Sequence, residues 1–137
     1  IPFGKANVVR EGSDLTVVTC GALVKRSLDA AKRAESEFGI STEVIDLRTL
    51  SPWDMERVGE SVKRTGKALV VHEDAVTYGI GAEIAARIAD ECFPWLDGPV
   101  KRIGAKDVWV AYAPRLEEVI LPQTPDVLEG IVELSEF

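Results

Sequence analysis

Three short clusters bring together side chains able to do chemistry. They are Cys20-Gly21-Ala22, Asp46-Leu47-Arg48 and His72-Glu73-Asp74. A thiol at a strand-to-helix turn can be activated by the helix N-terminus. His72 is the only histidine and hence the only imidazole base. Cys20 and His72 together would make a self-contained α/β thiol enzyme. Against it, free cysteine is commonly a small buried hydrophobe, and no Gly-x-Ser-x-Gly nucleophile elbow is present. His72, Glu73 and Asp74 alternate faces if a strand runs through them, so they cannot converge on one ligand. No HxH, HExxH or CxxC motif supplies the further ligands a metal site needs. Asp46 and Arg48 share a face of a strand that reaches them and suit an ion pair.

Gly79-Ile80-Gly81 opens a helical stretch, where backbone N–H groups could approach a phosphate. A dinucleotide fingerprint needs a third glycine and a direct strand-to-helix turn. Here the third glycine is missing and Asp74 to Tyr78 intervene. Close backbone packing explains these glycines as well.

The elements that position these residues follow from hydrophobic period. Ala6–Arg10 and the β-branched run Leu15–Cys20 read as strands joined by the polar turn Glu11-Gly12-Ser13-Asp14. That length predicts an antiparallel hairpin. Val24, Leu28, Ala31, Ala34 and Phe38 give a helical stripe that ends at Gly39. Ser41–Leu47 is a strand. Ser51-Pro52-Trp53-Asp54 predicts a helix start capped by Ser51, with Met55, Val58 and Val62 buried and Gly66 at its close. Lys67–His72 is apolar enough for a strand covered on both faces. A helix over about Gly81–Cys92, a strand at Val100–Ile103 and a final helix that starts at Thr124-Pro125-Asp126, repeating the cap logic of Ser51-Pro52-Trp53-Asp54, complete the order, with a loop-rich stretch before that last helix. Alternating strands and helices predict an α/β fold. Its form is a three-layer α/β/α domain with a mostly parallel sheet of about five strands and one antiparallel edge strand.

The chain of 137 residues reads as one domain, with 46% hydrophobic and 28% charged residues, enough to bury a core. Its net charge of −7, with no basic stripe, argues against nucleic acid as a partner. No apolar run approaches the ~20 residues of a membrane span. Two cysteines are too few for a disulfide scaffold and fit a reducing compartment. The chain opens Ile1-Pro2-Phe3-Gly4 and its only methionine is Met55, which is expected of a segment cut from a longer polypeptide. Glu117, Glu118, Glu129, Glu133 and Glu136 form a solvated acidic face able to attract a basic partner. Trp53, Trp95 and Trp109 suit the anchored centre of an interface. The residues alone thus describe a domain that docks.

Longer motifs carry a resemblance. Ile1–Ala6 with Arg10–Val18, Val44–Asp54, Val70–Glu73, Gly79–Ala85, Tyr112-Ala113-Pro114, Leu116-Glu117 and Leu121-Pro122 resemble, in order and spacing, the C-terminal domain of the β subunit of a 2-oxoacid dehydrogenase E1 component. The third domain of transketolases and deoxyxylulose-phosphate synthases shares this fold, with a poorer motif match. Residues 1–5 then read as the linker from a preceding domain. The resemblance implies an α2β2 enzyme that uses thiamine diphosphate and magnesium. It would decarboxylate pyruvate or a branched-chain 2-oxo acid and pass the acyl group to the lipoyl arm of E2, in the cytoplasm or the mitochondrial matrix. It implies no catalytic, cofactor-binding or metal residue within these positions. The domain's part would be assembly, with an α subunit, a second β subunit and the peripheral subunit-binding domain of E2 as partners. Phe137, through its carboxylate where the chain ends there, is the implied E2-docking residue. Thr49–Asp54 and Asp90–Phe93 resemble branched-chain members more than pyruvate ones.

Overall fold

A computed structural model describes residues 1–137. Five strands form one sheet: β1 (Asn7–Arg10), β2 (Leu15–Thr19), β3 (Thr42–Asp46), β4 (Ala68–Ala75) and β5 (Lys101–Ala105), in spatial order β1-β3-β2-β4-β5. Four strands are parallel and β1 alone runs antiparallel, at one edge. Helices α1 (Leu23–Phe38) and α5 (Thr124–Ser135) cover one face, and α2 (Met55–Thr65) and α3 (Ile80–Glu91) the other. A short α4 (Pro114–Ile120) and a single 3-10 turn (Phe93–Trp95) complete the chain. The expected three-layer α/β/α architecture is what forms.

The two cores follow from strand alternation. Val17, Leu69 and Val71 pack beneath α1 and α5 with Ala31, Ala34, Val127 and Ile131. Val18, Ile45 and Val70 pack beneath α2 and α3 with Val58, Val62, Ile84 and Ile88. β2 and residues 68–72 of β4 are buried on both faces, which is why they read as near-continuous apolar runs.

The hairpin expectation is corrected. β1 does not pair with β2 but with β3, Val8 opposite Ile45 and Arg10 opposite Val44. The connection Glu11–Asp14 crosses over the start of β3 instead of turning back beside it. Both Ser13 N and Asp14 N donate to the Ser41 carbonyl, at 3.1 and 2.8 Å, and the Asp14 carboxylate accepts from Ser41 N at 2.7 Å. Gly12 makes the crossing feasible, since a Cβ there would overlap the Thr42–Glu43 backbone. Arg64 fastens the crossing from α2, donating to the Gly12 carbonyl at 2.7 Å and to the buried Glu43 at 2.6 Å.

Three further expectations shift. The buried stripe of α1 is Leu23, Ser27, Ala30, Ala31 and Ala34, while Phe38 is exposed. Ser51 and Pro52 lie in a turn upstream of α2, and its cap is Asp54, which accepts from Arg57 N at 3.2 Å. At α5 the cap is Gln123, paired reciprocally with Asp126, and Thr124 is already helical. Gly39 and Gly66 do close α1 and α2 in the left-handed conformation.

Candidate functional site

Cys20, Asp46 and Arg48 stand at the carboxyl ends of β2 and β3, whereas His72, expected at a strand end, lies within β4. Cys20 lies one residue past the last paired position, Thr19 opposite Val71, so it comes abreast of His72 on the next strand. No hydrogen bond joins them. Burial pushes the Cys20 thiol up from its ordinary value, and the Asp46 and Glu73 carboxylates push it further. A nucleophile needs the opposite shift. His72 is 1% exposed, and neither ring nitrogen has a hydrogen-bond partner. Burial, aided by Arg102, lowers its pKa despite the opposing Asp74 carboxylate. A thiol held protonated beside an imidazole it does not bond is not a catalytic pair. The thiol-enzyme alternative is set aside on this geometry.

Strand β4 does run on through His72, Glu73 and Asp74, and only His72 points inward. Its ring fills the space between Gly81 of α3 and Gly104 of β5, where a Cβ on either glycine would collide with it. Gly79 in turn abuts the Ala75 carbonyl. Close packing, not phosphate binding, accounts for the glycine pair. The Asp74 carboxylate already occupies the N-terminus of α3, accepting from Ile80 N at 3.1 Å.

Asp46 and Arg48 do pair, at 3.4 Å, although not along a strand. β3 ends at Asp46, and Arg48 takes a left-handed conformation (φ 62°) that folds its side chain back. No group of three or more His, Cys, Asp or Glu side chains could hold a metal ion. The residues present do not fit a magnesium–diphosphate site.

The loops beyond β4 and β5 carry a different feature. Tyr78, Trp109 and Tyr112 are almost wholly exposed, and Val108, Leu116 and Val119 are more than half exposed. The segment is nonetheless fastened. Thr77 donates its N–H and hydroxyl to the Asp107 carboxylate at 3.1 and 2.5 Å, bonds that hold the Asp107 pKa low. Val76 N reaches the Ala105 carbonyl at 3.1 Å, and Arg102 donates to the Val76 carbonyl at 2.6 Å. Lys106 N donates to the Ile120 carbonyl at 3.1 Å, closing the excursion at its base. The base of the segment is thus fixed, and an exposed apolar surface of this kind marks a site of interaction.

Sequence reasoning read this stretch only as loop-rich and missed α4. The available signal was the density of apolar residues over 108–119. Of the three tryptophans, Trp53 lies under Arg87 at 4.9 Å and Trp95 under Lys63 at 4.5 Å, whereas Trp109 is 96% exposed. Phe137 rests its side chain against Gly98 and stays 63% exposed. It follows α5, whose exposed acids include Glu129 and Glu133.

The chain belongs to the family described as "Transketolase, C-terminal domain", which matches residues 4–127. Its relatives include β subunits of E1 components. It is 47% identical over 131 residues to the pyruvate dehydrogenase E1 component subunit beta of Rickettsia bellii, covering 96% of this chain and 40% of that protein. It is 43% identical over 138 residues to the 2-oxoisovalerate dehydrogenase subunit beta of Bacillus subtilis, covering 100% of this chain and 42% of the relative. Pyruvate and branched-chain types thus lie at similar identity. Among solved structures, the chain is similar to "Split gene transketolase, inactive beta4 tetramer", with TM-score 0.86 and 31% identity over 99% of this chain and 44% of the other. The chain spans about two fifths of the length of the curated relatives it matches.

Proposed function

We propose that these residues form the assembly and docking domain of the β subunit of a thiamine-diphosphate-dependent 2-oxoacid dehydrogenase E1. The whole protein would decarboxylate pyruvate or a branched-chain 2-oxo acid and hand the acyl group to the lipoyl arm of E2. Thiamine diphosphate and magnesium would be held outside residues 1–137, at a site completed by an α subunit. The enzyme would act in the cytoplasm or the mitochondrial matrix; no helix here is long and apolar enough to cross a membrane.

The observation that carries the assembly role is the exposed aromatic surface of Trp109 and Tyr112, on a segment whose base is fastened at Thr77–Asp107 and Lys106–Ile120. Rigid aromatic side chains anchor interfaces because they bury much area at little entropic cost. The occupant we assign is a second copy of the β subunit. Support comes from the similar solved protein, a split-gene transketolase described as a "beta4 tetramer". Phe137, after an acidic helix, is assigned to the basic surface of the E2 subunit-binding domain. Its exposed ring supports that reading.

The competing reading is a transketolase, favoured by the fold match to the split-gene protein. One assay separates the two. The full-length protein is combined with an E1 α subunit, thiamine diphosphate and magnesium, then offered pyruvate, branched-chain 2-oxo acids, or a ketose-phosphate and aldose-phosphate pair. Acylation of a lipoyl domain from a 2-oxo acid is the expected result. Ketol transfer between sugar phosphates, without lipoyl acylation, would overturn the proposal.

A further inference from the structure

Among the buried polar side chains, His72 stands apart. Its ring is enclosed with both nitrogens unpartnered, and it is the piece that separates α3 from β5. On the α3 side it meets Gly81, and on the β5 side Gly104. Neither glycine brings a polar side chain to it. Arg102 of β5 is the nearby cation and Asp74, on its own strand, the nearby anion. The Asp74 backbone carbonyl also lies by the ring and favours its charged form, but burial outweighs both Asp74 groups. Cys20 stands abreast of it beyond β2, with its thiol held neutral.

An enclosed imidazole of this kind tolerates only its neutral form. Protonation turns both nitrogens into donors, and an unpaired buried cation is costly enough to drive rearrangement. The Asp74 carbonyl can serve one nitrogen at most, so relief requires the other to reach water or a further acceptor, which the packing against Gly81 and Gly104 allows only if α3 and β5 part. The loops above it move with them, because Val76 bonds Ala105 and Thr77 bonds Asp107. Those loops carry Tyr78, Val108 and Trp109 of the aromatic surface.

We infer that His72 is a pH-sensitive plug whose protonation releases the α3–β5 junction and with it the arrangement of the aromatic surface. The inference rests on that surface being the self-association face. Its sign is fixed by the burial of the ring. The neutral form is native, so the junction is closed at and above neutral pH and opens as the solution turns acidic.

The test is hydrogen exchange of the full-length protein at pH 7.5 and 5.0, normalised for the intrinsic pH dependence of exchange, with self-association measured in parallel. Protection of residues 76–81 and 104–112 is expected to fall at least tenfold at pH 5.0, while the amides of β2 and β3 hold. In His72→Gln, a permanently neutral side chain, the fall should be absent. Unchanged protection in the wild type at pH 5.0 would overturn the inference without any variant. So would an equal fall in His72→Gln. Lack of self-association at pH 7.5 would instead count against the assembly reading, leaving the exchange result to judge the plug by itself.

Discussion

One added methyl group is the sharpest probe of the packing around His72. Ala at position 81 would place its Cβ inside the ring, and the ring has no free side to move toward. Gly81→Ala should therefore cost about 1–3 kcal/mol, the usual range for overpacking a filled core. Gly39→Ala is the control. Gly39 has open space around it and a left-handed φ of 71°, so the change there should cost only the conformational strain, about 1–2 kcal/mol. The difference lies in transmission. The α1 variant should lose stability without altering exchange in residues 76–81, whereas the Gly81 variant should raise it. Equal exchange in both would mean that His72 can relax in place. The sequence offered His72 and Gly81 as separate candidates, one for acid–base work and one for phosphate. That they serve each other depends on α3 folding back over β4, which no local spacing records.

At the scale of elements, Asp54 shows how one side chain joins two segments. Its carboxylate caps α2 through Arg57 N and also accepts from Ala6 N at 3.0 Å, holding the chain as it enters β1. Burial works to raise its pKa, but the N–H bonds from Ala6 and Arg57 and the charge of Lys5 outweigh it and hold the carboxyl below its ordinary value. A depressed folded pKa means stability present above the unfolded value near 4. That stability is lost as pH falls through the folded pKa. Asp54→Ala should thus cost about 1–2 kcal/mol near neutrality, as for other lost N-caps, and the deficit should shrink below pH 4. Urea unfolding midpoints at pH 7 and pH 3.5 measure it. A deficit that persists in acid would contradict the assignment. Most elements were legible because their period was: β2 and β4 as unbroken apolar runs, α3 by its isoleucines, α1 and α2 by their closing glycines. The partner of β1 was not legible. A four-residue polar link suits a hairpin, and only the contact of Gly12 with the Thr42 backbone shows that it crosses β3 instead. The caps slipped for a related reason. Ser51 matches the local pattern, but the side chain that reaches the helix N–H groups is Asp54.

For the whole molecule, what matters is what the fold leaves uncovered. Both sheet faces are sealed by helices, and the polar residues at the carboxyl ends pair among themselves or stay neutral. The aromatic segment between β5 and α5 has no such cover. Its composition was visible in the sequence, yet its exposure was not, since a window rich in Val, Trp, Tyr and Leu reads equally as core. The central claim is that this surface holds β subunits together. It is tested most directly by sedimentation of the full-length protein carrying Trp109→Glu and Tyr112→Glu, beside the wild type and a Trp95→Glu control. Both mutated side chains stand clear of the fold, so folding should be retained and circular dichroism should match the wild type. The predicted result is at least a hundredfold weaker self-association in the double variant, with the control unchanged. A correctly folded double variant that sediments with the wild type would contradict the claim.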